Sequence, residues 1–106
     1  MAEVIGFSVA RILADESVDR VTVVLVGELD VSSADSARAV VDRAIEINRA
    51  ELAFDMEGLT FMDSSGLALL VHAHNRAGVV VIRRPPEIVR RAIEITGLAD
   101  LFEFEQ

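Results

Sequence analysis

The chain has no cysteine and no lysine, only two prolines and two histidines, and no long apolar run. Without cysteine there is no disulfide, no thiolate nucleophile and no cysteine metal site. Without lysine there is no lysine Schiff base and no P-loop, whose G-x-x-x-x-G-K pattern is absent as well. All ten cations are arginines, set against 18 acidic residues for a formal net charge of −8. That is the wrong sign for a nucleic-acid binder, which needs cations to displace counterions, and it favours a basic protein surface as partner. No apolar stretch approaches the ~18 residues of a membrane span. The opening Met1-Ala2-Glu3-Val4 lacks the basic region of a secretory signal. The expectation is a soluble, cytoplasmic protein with neither membrane nor direct nucleic-acid partners and, given its acidity, a monomer.

What is present suits one domain with a single two-layer core: 106 residues, 52% of them apolar. Phe7 to Leu13 reads as a strand, broken by Asp15-Glu16-Ser17. Val21 to Val26 is β-branched and almost wholly apolar, a second strand that forms a hairpin with the first. Ser32 or Ser33 is expected to cap the next helix, with Asp35 in its first turn. That helix carries Ala37, Val40, Val41, Ala44 and Ile45 on one stripe. Glu51 to Asp55 is expected as a short buried strand that leads through a polar turn to Phe61-Met62. A helix opening at Asp63-Ser64-Ser65-Gly66 stops at Gly78. Val79 to Ile82 is a strand, Pro85-Pro86 starts a helix that Gly97 ends, and Phe102 to Phe104 makes a terminal strand. The fold class is therefore α/β: an N-terminal β-hairpin, then β-α-β-α-β-α-(β), a mostly parallel sheet with right-handed crossovers and helices packed on it.

Asp63-Ser64-Ser65-Gly66 admits two readings. As an N-cap it is ordinary, since Asp and Ser are preferred there. Yet no Glu or Gln stands at the capping-box spacing, where Leu67 and Ala68 sit, and a cap needs only one oxygen. As a modification site, it sets two hydroxyls where a helix dipole and unpaired N–H groups favour negative charge. A phosphate there would add roughly −1.5 to −2 charges to the surface. A hydrolase reading needs a base within reach of the serine. Ser65 and His72 lie about 10 Å apart along a helix, and His72 and His74 point ~200° apart, too divergent to share a metal. His74 falls on the Leu67, Leu70, Val71, Ala77 stripe as a core histidine, whereas His72 points to solvent. Leu69 points away from that stripe, and with Ala68 it is expected to form a small exposed apolar patch beside the serines.

A second cluster lies at Glu28 and Asp30. Acidic residues before a helix can simply complement its dipole. However, loops leaving parallel strands gather along one edge of the sheet, where sites form in α/β folds. The Gly27–Ser33 and Leu59–Ser65 loops should therefore be neighbours and surround the serines with acid. Arg83-Arg84 and Arg90-Arg91 read as solvated charges.

Three segments together carry a family resemblance: Val26-Gly27-Glu28-Leu29-Asp30, Leu59 to Leu67 with its Phe-Met-Asp-Ser-Ser-Gly-Leu, and Val89 to Leu98. In order and spacing they resemble the STAS domain, specifically the small stand-alone anti-sigma factor antagonists of bacteria, with 1–106 as a single STAS domain. The resemblance implies a non-enzymatic protein without cofactor or metal. Unphosphorylated, it would bind an anti-sigma factor that is also a serine/threonine kinase and so release a sigma factor. The kinase would inactivate it on serine and a phosphatase would restore it. The acceptor position falls on Ser64, with Ser65 as second choice; partner contacts fall on Glu28, Asp30, Met62, Asp63, Ser65, Gly66, Ala68 and Leu69. The alternative role is a STAS scaffold or accessory subunit of a signalling or membrane lipid-transport complex, with no phospho-switch. The chain departs from the pattern between Ala73 and Pro86, which is short and reads Arg83-Arg84-Pro85-Pro86 where many relatives carry an asparagine before the proline.

Overall fold

Val21 to Leu25 is buried on both faces, and that run forms a central strand, as its unbroken apolar, β-branched character requires. The computed structural model describes residues 2–5, 10–15 and 20–106. Within them, β1 (Ala2–Ile5), β2 (Ala10–Asp15) and β3 (Arg20–Leu29) are followed by α1 (Ala34–Ile47), β4 (Glu51–Met62), α2 (Ser64–Arg76), β5 (Val79–Arg83), α3 (Glu87–Ile95) and β6 (Glu103–Glu105). One six-stranded sheet takes the strands in chain order. β1 pairs with β2 and β2 with β3 antiparallel, whereas β3, β4, β5 and β6 are mutually parallel, each step between them made through a helix. The α/β class, the hairpin start and the terminal strand stand as expected. Phe7, Ser8 and Val9, the first part of the strand expected from Phe7 to Leu13, lie outside the described residues. β1 was not foreseen.

The parallel strands differ from expectation in length. Rather than stopping at Asp55, β4 continues to Met62. The polar stretch Asp55 to Thr60 is not a turn, because its backbone pairs with β3 over Val24↔Asp55, Val26↔Gly58 and Gly27↔Leu59, across two register shifts. β5 pairs with β4 as far as Asp55↔Arg83. Past that point β4 stays paired with β3 through Leu29↔Met62, and exposed Glu57, Gly58, Thr60 and Phe61 lie on this stretch.

Side-chain alternation divides the sheet. Val21, Val23 and Leu25, Leu52, Phe54 and Met56, and Val80 and Ile82 join Val40, Val41, Leu70 and Ile93 of the helices in one apolar core. The other face carries Thr22, Val24, Ala53 and Val81, buried but outside that core. Ions lie over it. Arg20 donates to both carboxylate oxygens of Glu105, at 3.1 and 3.0 Å, and its Nε lies 2.6 Å from Glu51. The side chains of β3 and β6 therefore meet across the two intervening strands. Arg83 Nε stands 3.2 Å from Glu105 but without hydrogen-bond alignment. Arg84 pairs with Asp55 at 2.6 Å and with Glu57. Arg83 and Arg84 are thus ion-paired rather than merely solvated, and Arg90 lies over the ring of Phe104.

Helix packing corrects the reading of α2. α1 buries the expected stripe of Ala37, Val40, Val41, Ala44 and Ile45. α2 buries Gly66, Leu69, Leu70 and Ala73, a stripe rotated from the Leu67, Val71, His74 face. The reason is that α2 packs against α1 as well as against β4 and β5, so its covered arc is wider and displaced. Leu69 is 3% exposed and cannot belong to a surface patch. His72 is not solvated either: its Nε2 lies 2.7 Å from Asp42 of α1, tying the two helices. His74 is partly buried, edge-on to Phe102.

The Arg20 hydrogen bonds, helped by the nearby Arg83 charge, hold the Glu105 carboxyl below its ordinary range. Because the folded chain keeps Glu105 more acidic than the unfolded chain does, this tie acts fully above the ordinary glutamate pKa and fades as the pH falls through the lower folded value. Glu105→Gln is expected to cost less than about 1 kcal/mol at pH 7, since the pair is substantially solvent-screened. Urea unfolding should show the difference from the parent chain shrinking below pH 4.

Candidate functional site

The ends of β3 and β4 meet at the first turns of α1 and α2, and each junction is closed by an aspartate. Asp63 occupies the N-cap of α2 in extended conformation, and its carboxylate accepts the Ser65 N–H at 2.8 Å. Its own N–H donates to the Leu29 carbonyl at 3.2 Å, binding the helix start to the end of β3. Gly66 and Leu67 donate to the Asp63 carbonyl. Neither serine is the cap. Ser64 is the first helical residue, exposed, with its hydroxyl and N–H unbonded among the described residues. Ser65 is half-buried. A carboxylate already occupies part of the positive end of α2, so the helix terminus is less vacant than its letters suggest.

Gly66 explains why this motif needs a glycine. A Cβ there would stand 2.5 Å from Met62 Cγ and 3.1 Å from Leu29, so α2 starts pressed onto the strand ends. Met62 is accordingly half-buried, while its neighbour Phe61 turns outward. Phe61 is 43% exposed and pairs in register with exposed Glu28. Val26, 45% exposed, lies over Gly58, and Val31 is exposed in the β3–α1 turn. Gly27 adopts φ 87°, which an L side chain resists, at the register shift that turns Glu28 outward. Thr60 Oγ1 donates to the Gly27 carbonyl at 3.1 Å and locks that bulge.

Asp30 closes the other junction. Its Oδ1 accepts the Ser32 hydroxyl at 2.6 Å, the Ser32 N–H at 2.9 Å and the Ser33 N–H at 3.2 Å. Those bonds, the Ser32 hydroxyl foremost, hold the Asp30 carboxyl below the usual carboxylate range. Ser33 holds the expected N-cap position of α1, but its side chain makes no cap bond. Its hydroxyl faces back, accepting from the Asp30 N–H and donating to the Glu28 carbonyl.

The structure thus brings Glu28, Asp30, Asp63, Ser64, Ser65, Gly66 and Ala68 to one edge of the sheet, as the strand-to-helix argument expected. Leu69 lies beneath it, inside the domain. The exposed apolar residues are instead Phe61, Val26 and Val31. For Phe61 a cue existed, the Phe-Met pair before Asp63, whose members must face opposite ways in an extended chain.

Residues 11–106 match the STAS domain, and the chain belongs to that family. Over 90 residues it is 34% identical to an anti-sigma F factor antagonist of Lysinibacillus sphaericus, spanning 78% of this chain and 77% of that protein. Its fold superimposes on an anti-sigma factor antagonist from Mycobacterium paratuberculosis with TM-score 0.77 at 23% identity, covering 91% of this chain and 83% of that one. It is also similar to SpoIIAA, in the unphosphorylated form (TM-score 0.69, 22% identity, 92% and 86% covered) and in the phosphorylated Bacillus form (0.70, 24%, 92% and 91%). These homologues are binding proteins rather than enzymes. Among the described residues no helix is long and apolar enough to cross a membrane.

Two substitutions test how the site is built. Gly66→Ala should lose about 1–3 kcal/mol, as overpacking against Met62 and Leu29 demands. Asp63→Ala should cost about 1 kcal/mol through loss of the cap. Both are read by chemical denaturation.

Proposed function

We propose that this chain is an anti-sigma factor antagonist switched by phosphorylation of Ser64. Unmodified, it captures an anti-sigma factor that is also a serine/threonine kinase, and a sigma factor is released. The kinase phosphorylates Ser64 and ends the capture, and a phosphatase restores it. The cycle runs in the cytoplasm.

One observation carries this reading: an exposed hydroxyl, unbonded among the described residues, at the first residue of α2, next to Asp63 and just beyond the paired strand ends that carry Glu28 and exposed Phe61. Phe61, Val26 and Val31 supply apolar contact area, and the acidic side chains suit a basic partner surface. Phosphate added at Ser64 stands beside the Asp63 carboxylate, where a docked partner would have to bury a dianion without a counter-charge. A mismatch of about 4 kcal/mol is roughly a thousandfold in affinity. No change of fold is needed. The near-equal likeness of this chain to the phosphorylated and unphosphorylated forms of SpoIIAA supports a scaffold that carries phosphate without refolding.

The test incubates the chain with ATP and candidate anti-sigma factor kinases, maps phosphate by peptide mass spectrometry and measures capture. Phosphate on Ser64 with loss of the complex is expected. Ser64→Ala should bind and resist modification, whereas Ser64→Glu should bind about a thousandfold more weakly, with a melting temperature within about 3 °C of the parent. A complex that persists whatever the state of Ser64 would instead assign the chain a scaffold role.

A further inference from the structure

Between the first turns of α1 and α2 lies an open groove of about 190 Å³, walled by Ala34, Asp35 and Arg38 on one side and by Ser65, Ala68 and Leu69 on the other. Leu69 is almost fully buried and contributes only to the floor. The groove adjoins Ser64 through Ser65. Its cation, exposed Arg38, has no side-chain ion pair or hydrogen bond among the described residues, as is also true of Arg49, Arg76 and Arg91; of these four, Arg38 shares a groove with Ser65. Asp35, three residues before it, makes no ion pair with it.

We infer that this groove receives a small apolar side chain and a neighbouring carboxylate of the captured anti-sigma factor, the carboxylate pairing with Arg38. The inference rests on the capture reading above. A chain of net charge −8 attracts any basic surface, which gives speed of encounter but little discrimination. Glu28, Asp30 and Asp63 lie at the ends of β3 and β4, and Arg38 stands on α1 in the groove with Ser65. A partner must therefore be basic over most of its contact and acidic at one point, which sets its orientation and penalises uniformly basic competitors. The guanidinium has five N–H donors and can serve both Asp35 and an incoming carboxylate. A phosphate on Ser64, next to the groove, would repel that same carboxylate, so the groove and the switch act on one contact.

The experiment titrates the unphosphorylated chain, and its Arg38→Ala, Arg38→Glu and Ser64→Glu variants, against the purified anti-sigma factor kinase at low and high salt. Arg38→Ala should weaken capture about tenfold and Arg38→Glu about a hundredfold. The loss should be smaller at high salt, and arginine in place of one acidic residue on the kinase should restore Arg38→Glu binding. Unchanged circular dichroism melts would show both variants folded, as an exposed, unpaired side chain predicts. Arg38→Glu binding within twofold of the parent, while Ser64→Glu abolishes capture, would overturn the groove and leave the capture reading standing. No capture by the parent, or full capture by Ser64→Glu, would overturn the capture reading and the groove with it.

Discussion

The Asp63 junction is the contact on which the site depends. One residue caps α2 through its carboxylate, ties the end of β3 through its N–H, and receives the first helical bonds through its carbonyl. With its caps satisfied internally, α2 starts at one fixed position and angle. Ser64 is then placed outward as a matter of helical geometry, with no hydrogen-bond partner for its side chain among the described residues. Gly66 makes the same junction possible sterically, because only a residue without Cβ lets the helix rest on Met62 and Leu29. Asp30 repeats the arrangement one strand away, spending most of one carboxylate oxygen on its own turn. The acidic rim is thus built in part by residues whose carboxylates shape the backbone.

The two faces of the sheet are stabilised differently. Helices cover one face with a continuous apolar core. On the other, small residues lie under a mesh of arginine and glutamate side chains, with Arg20 reaching Glu105 across the sheet. Such pairs contribute little each, since solvent screens them, but their aliphatic stems cover apolar surface and fix the edge strand. Lacking lysine, the chain makes these ties with arginine, whose planar fork serves two carboxylate oxygens or two partners at once. Arg20 does both.

Much of the fold was legible because its cues are local. Val21 to Val26 was legible as a strand in a hairpin, and the Ala37 to Ile45 stripe marked the inner side of α1. The strand-helix alternation led directly to a parallel sheet, and from there to one edge that gathers Glu28, Asp30, Asp63 and the serines. Errors fell where two distant segments decide the outcome. Asp55 to Thr60 has turn-like composition, yet it is extended because β3 runs alongside it. Leu69 was misplaced because a helix with two neighbours buries a wider arc than its most hydrophobic stripe, and Gly66 and Ala73 were undervalued as packing residues. His72 was assigned to solvent because its partner, Asp42, lies thirty residues away in the chain.

By itself, the amino-acid sequence determined the α/β alternation, the acidic balance and the motif Phe61 to Leu67, because periodicity, charge and capping chemistry act between near neighbours. Only the tertiary structure decided which side chains around that motif face water: Phe61 and Val26 outward, Leu69 inward, Arg38 exposed beside the groove. Those outcomes depend on where a second helix and an adjoining strand come to rest. No window of residues short enough to read by period contains both sides of such a contact.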